Sequence, residues 1–153
     1  SGPSRVEKAT ESGLIDGKLY LTAEMAEVVD SFWRVMQDKS VSSEPIRIAG
    51  VEYPRGIGVH ADSRLSFKLD GQFSTFCVIP GPDDAHHGQL EMIIRLDDKE
   101  VYRSGAVRRG SIKNAEPLVL PVAGARKLTL IVEASDGNNG GDHANWAEAY
   151  LKR

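Results

Sequence analysis

Residues Leu90–Tyr102 read LEMIIRLDDKEVY. Leu90, Met92, Ile94 and Leu96 alternate with Glu91 and Arg95, and Asp97, Asp98 and Lys99 then supply turn residues before a second extended run. Successive strand side chains point to opposite faces, so period two marks a strand with one face buried. The stretch predicts an antiparallel hairpin. The same period appears on either side of it, at Leu65, Phe67 and Leu69, at Leu118, Leu120 and Val122, and at Leu128, Leu130 and Val132. Turn formers separate these runs: Asp70-Gly71, Pro80–Asp84 and Ala123–Ala125. Many short strands with regular turns predict an all-β chain, a sandwich or a barrel.

One segment disagrees. Met25, Val28, Val29, Phe32 and Met36 fall on a helical stripe, and by spacing alone Ala23–Met36 reads as a helix. The first residues are polar and lack periodicity. Residues 1–18 are read as a tag remnant and linker, opening on SGPS, and 19–153 as the folded domain.

The bulk numbers narrow the functions. The chain has 153 residues, 41% hydrophobic and 27% charged, which suits one globular domain. A net charge of -3 argues against nucleic acid. The one basic cluster, Arg108, Arg109 and Lys113, lies in a Gly/Ser-containing stretch and reads as a solvated loop. No apolar run is long enough to span a bilayer as a helix. The lone Cys77 sits in an apolar run and reads as a small buried hydrophobe.

Chemistry-bearing residues crowd into Ser135–Leu151, SDGNNGGDHANWAEAYL. An EF-hand fails there, because Gly140 and Ala147 stand where ligands are required. His60, His86, His87 and His143 show no zinc spacing. Asp83, Asp84 and Asp142 could form a hydrolytic carboxylate pair, although an Asp pair in PGPDD more often forms a turn. Asp142, His143, Asn145 and Trp146 offer the palette of a sugar site: short polar side chains for vicinal hydroxyls and an aromatic face for ring C–H groups. Trp146 suits a stacking platform or the core equally.

Five stretches in order, YPRGIGVHA (53–61), PGPDD (80–84), LDDKEVYRSG (96–105), VAGARKLTLIV (122–132) and DGNNGGDHANWAEAYL (136–151), closely resemble the NPCBM family, also classed as carbohydrate-binding module family 51. The resemblance covers Leu19 to Leu151. It implies a galactose-binding-like antiparallel β-sandwich of jelly-roll type, monomeric and without catalytic activity. It also implies binding to terminal galactose-type sugars of a glycan or polysaccharide, and other domains in a larger extracellular, cell-surface or periplasmic parent. The candidate ligand-binding residues are His60, Asp83, Asp84, Asp142, His143, Asn145 and Trp146. His60 either touches sugar or braces the closing loop. Related sandwiches carry a structural calcium, for which Glu148 and Glu24 are the candidates here. Aligned this way, residues 23–36 become irregular structure and an outer strand instead of a helix. Two departures stand out: Asn145 replaces the usual acid, and Pro82 the usual valine. Ligand-specific residues are expected in variable loops such as 84–88 and 108–116. Rival readings are a protein-interaction or spacer domain, with Asn145 as its sign, and a hydrolase built on Asp83, Asp84 and Asp142.

Overall fold

The computed structural model describes Arg5, Val6 and residues 14–153. The strands in chain order are β1 (Leu14–Ile15), β2 (Lys18–Tyr20), β3 (Val28–Ser31), β4 (Met36–Gln37), β5 (Ile46–Ile48), β6 (Val51–Tyr53) and β7 (Gly56–His60). They continue as β8 (Ser63–Lys68), β9 (Thr75–Pro82), β10 (Leu90–Leu96), β11 (Lys99–Arg103), β12 (Leu118–Pro121), β13 (Lys127–Ala134) and β14 (His143–Lys152). A 3-10 turn occupies Ala23–Met25.

Two antiparallel sheets face each other. One runs β11-β10-β13-β8-β3; in the other, β14 pairs with β2, β7 and β9. Inward residues alternate as the period-two runs require. Leu65, Phe67, Met92, Ile94, Leu130 and Val132 from the first sheet share one buried cluster with Ile57, Val59, Phe76, Val78 and Trp146 from the second. Each such side chain contributes roughly 1.5–3 kcal/mol by leaving water. The ribbon β5–β6 covers the outer side of the second sheet, where Ile46 and Ile48 pack against Ala147 and Ile79. Leu90–Tyr102 forms the hairpin β10–β11, and Cys77 is buried.

The helical spacing at 23–36 does not produce a helix beyond that one turn. β3 instead pairs along the edge of β8, extended by Glu27 N–H to the Ser66 carbonyl at 2.7 Å and Phe32 N–H to the Asp62 carbonyl at 2.8 Å. A free sheet edge supplies ladder bonds that spacing alone does not foresee, and this pairing overrides local periodicity. The stripe is not one buried face, since Val28, Val29 and Phe32 are exposed. The linker reading of 1–18 also needs correction where the chain is described. Leu14 and Ile15 pair with Leu19 and Lys18, and Val6 is buried in the core. Asp16 and Gly17, both at positive φ, turn that small hairpin. The rest of that segment lies outside the described residues.

Candidate functional site

Four strand ends meet at one edge of the sandwich. β7 ends at His60, which pairs directly with His143 at the start of β14. β9 ends beside them, with Pro82 opposite Ala144, and β3 arrives from the other sheet. The loop before His143 is built from turn chemistry: Asn138 N–H bonds Asp136 Oδ1 at 3.0 Å, and Gly140 N–H bonds Asn138 Oδ1 at 2.9 Å. Asp136 and Asn138 therefore brace their own backbone, as the failed EF-hand spacing implies.

Five rings cluster at this edge. His60 and His143 stand 5.0 Å apart between centroids, and His86 stacks on His143 at 3.6 Å. Phe32 lies 5.0 Å from His60, and Trp33 lies 6.2 Å from His60 and 6.1 Å from His143. The histidines of β7 and β14 are almost wholly buried, whereas Phe32 is 65% and Trp33 46% exposed. The Arg34 guanidinium sits 4.5 Å over the indole, and its Nε donates to the Val41 carbonyl, fixing that wall. His60 Nδ1 donates to the Ala61 carbonyl at 2.6 Å, which leaves Nε2 as an acceptor in the neutral ring. Burial, then His86 and His60, push the His143 imidazole down to about 4, so it is neutral near pH 7, and its Nδ1 has no partner.

The acidic residues have other duties. Asp83 Oδ1 accepts from Asn145 Nδ2 at 2.8 Å and its Oδ2 from Ala85 N–H at 3.1 Å. Asp84 clamps the β5–β6 turn, accepting Ala49 N–H at 3.0 Å and Gly50 N–H at 2.8 Å. Neither carboxylate is free for general acid–base work, which removes the basis of the hydrolase reading. Asn145 is fully buried, so the acid-to-amide change belongs to a scaffold bond and gives no sign of a lost site. Trp146 is also fully buried in the core cluster and cannot serve as a stacking platform. Asp142 is buried with both oxygens unpartnered, against Gly88, where any side chain would overlap its carboxylate. Burial first, then Asp136 and Asp62, raise its carboxyl to about 6.

Phe32 and Trp33, which complete the ring cluster, were not among the residues that motif reasoning singled out. One signal was available: consecutive residues of an extended segment face opposite ways, so two adjacent aromatics cannot both point into one core. His86 comes from loop 84–88, one of the loops expected to carry specific contacts.

A separate carboxylate lies on β14. Glu148 occupies a bulge at φ 47°, where β14 changes partner from β7 to β2. Its Oε2 is buried without a partner, and its carboxyl is raised by burial, opposed by Arg55 and reinforced by Asp38. Asp38 Oδ1 accepts from Gly56 N–H and Gln37 Nε2, both at 3.0 Å. Two carboxylates suit a hard cation, with carbonyls able to complete the shell. Glu24, the other candidate, is exposed on the 3-10 turn Ala23–Met25, whose Ala23 N–H bonds Gln37 Oε1 at 2.7 Å, next to Asp38. Among the described residues no group of three or more His, Cys, Asp or Glu converges on one metal position.

Comparison with known proteins agrees with this architecture. The NPCBM/NEW2 domain profile matches residues 19–152. A Renibacterium salmoninarum protein named for endo-alpha-N-acetylgalactosaminidase activity is 33% identical over 107 residues, 69% of this chain and 7% of its own. Alpha-1,3-galactosidase B of Akkermansia muciniphila is 30% identical over 157 residues, 95% of this chain and 19% of its own. The chain thus spans under a fifth of the length of either relative. Among solved structures, the CBM51 module of Clostridium perfringens GH95, in complex with methyl-galactose, superposes with a TM-score of 0.80 at 24% identity, covering 88% of this chain and 99% of that one. The tandem CBM51 modules of a family 98 glycoside hydrolase from Streptococcus pneumoniae give 0.76 at 22% identity over 89% and 47%. Sequence profile, motif order and fold coincide over nearly the whole described chain, and the chain belongs to the NPCBM/NEW2 domain family.

Proposed function

We propose that this domain is a non-catalytic carbohydrate-binding module that holds a terminal, galactose-type sugar at the Phe32–Trp33 platform. The observation that carries the reading is the pair of exposed aromatic rings beside three histidines at the sheet edge. A galactose ring presents an apolar C–H face and a polar hydroxyl edge. The indole suits the first, and imidazole nitrogens, among them the unpartnered His143 Nδ1, suit the second. The similar module from Clostridium perfringens holds methyl-galactose, which supports the sugar class. One shallow site makes few contacts, so affinity is expected near Kd 0.1–1 mM, about -4 to -5.5 kcal/mol. Such affinity serves by raising the effective concentration of a parent protein at a glycan. The parent is a larger extracellular or cell-surface protein whose other domains act on that glycan, with this module monomeric within it. Calcium is the cation proposed for Glu148 and Asp38, where it would neutralise two carboxylates and hold the β14 bulge, with Glu24 on the neighbouring 3-10 turn as a further candidate ligand.

Calorimetric titration with methyl-galactoside tests the reading. Wild type binds, and Trp33→Ala loses about 1.5 kcal/mol, roughly tenfold, while keeping its melting temperature. Equal binding by both proteins would remove the platform.

A further inference from the structure

The aromatic platform opens onto a groove. A hollow of about 450 Å³ lies next to it, lined by His86, His87, Gln89, Arg108 and Asn138. His86 belongs to both, because its ring stacks on His143. A second hollow of about 430 Å³ shares Asn138 with the first and adds Asp62, Ala134 and Asn139. A third of about 320 Å³ shares Asp62 and Ala134 with the second and continues over Ser63, Arg64, Arg95 and Glu133 on the five-stranded sheet. The three follow one another along the surface, each sharing lining residues with the next, from the loops at the sandwich edge to a sheet face. Its middle passes the platform again, since Phe32 N–H bonds the Asp62 carbonyl at 2.8 Å.

The chemistry of the path is uniform. Its walls carry donors and acceptors of both signs and no Phe, Tyr or Trp, which suits a hydroxyl-rich chain better than an apolar peptide. Each hollow is of the size that small-molecule sites occupy, roughly 300–1,000 Å³. Ser63 is 4% exposed, yet its Oγ has no partner, and Arg95 Nε is likewise buried and unpaired. Buried polar groups are bonded as a rule, so each of these atoms calls for an ordered water beneath the wall. Among the described residues Arg64, Arg95 and Arg108 form no ion pair, whereas Arg47, Arg103 and Arg126 do.

We propose that this groove takes the remainder of an oligosaccharide whose terminal sugar sits on the platform, so that the domain reads chain length as well as chain end. The inference rests on the platform reading of the preceding subsection. Its test is a titration of the whole domain with methyl-galactoside and with galactose-terminated di-, tri- and tetrasaccharides, followed by calorimetry and by backbone amide NMR shifts. Affinity is expected to rise about threefold or more per added residue until the groove is filled. Amide shifts are expected to spread from Trp33 and His143 to Ser63, Arg64 and Ala134. Equal affinity for all four ligands, with shifts confined to the platform, would overturn the groove and leave the platform standing. Silence toward every ligand would overturn the platform reading, and the groove with it.

Discussion

Asp142→Asn gives the sharpest test of the site's electrostatics. The Asp142 carboxyl is buried with neither oxygen bonded, and its pKa is raised from 3.8 to about 6. At about 1.4 kcal/mol per tenfold change in proton affinity, that displacement corresponds to roughly 2–3 kcal/mol, allowing for partial screening at the loop. The folded chain holds this proton more tightly than the unfolded chain does. Asp142 therefore stabilises the fold only below about pH 4, and its contribution is lost as pH rises through about 6. His143 acts in the opposite sense. Its pKa is lowered from 6.5 to about 4, so its contribution is complete above 6.5 and lost as pH falls toward 4. The two slopes oppose each other in wild type between pH 4 and 6.5. Asp142→Asn removes one of them, while the cost of its buried amide does not vary with pH. The gap in unfolding free energy, variant minus wild type, should grow by roughly 2–3 kcal/mol from pH 4 to pH 7, or about 5–10 °C in melting temperature for a domain of this size. Paired urea or thermal melts across that range measure it. A gap independent of pH would refute the assignment of an unpartnered, protonatable carboxyl at this position.

The two tryptophans should separate cleanly. Trp146→Ala should cost about 3–5 kcal/mol of stability from the emptied core, whereas Trp33→Ala should change the unfolding free energy from urea melts by less than about 0.5 kcal/mol. Asp84→Ala frees the Ala49 and Gly50 N–H groups and should cost about 1–3 kcal/mol, with sugar affinity unchanged in calorimetry. Calcium at about a hundredfold its Kd should add about 2.7 kcal/mol, a rise of about 5–10 °C in melting temperature, and Glu148→Gln should abolish that rise. An identical calcium response in Glu148→Gln would move the cation elsewhere.

The fold was legible wherever one face of a strand meets water and the other the core. Leu90–Tyr102 shows why: its inward residues pack in the central cluster, and Asp97 and Asp98, both at positive φ, make its turn. Val28–Ser31 was legible only through the family resemblance, which made it an outer strand, because its conformation depends on a pairing with β8 that no local period encodes. The site failed differently. Asp142–Trp146 looked like a ligand-gripping motif because it offers short polar side chains and an aromatic within five residues, as a sugar site requires. β14, however, is covered on both sides. Ala144 and Trp146 enter the core between the sheets, while Asn145 bonds Asp83 and Ala147 packs under the β5–β6 ribbon. On a strand with no wet face, polar residues at alternate positions are scaffold. Asp83 and Asn145 illustrate this: an amide–carboxylate bond holds the end of β9 to β14, and that junction fixes the buried His143 beneath the exposed rings. The exposed half of the site comes from Phe32 and Trp33, about 110 residues away in sequence, and only the closing of one sheet over the other brings them there. Residue type named the chemistry of this domain, but the number of covered faces on each strand decided which aromatics stay exposed.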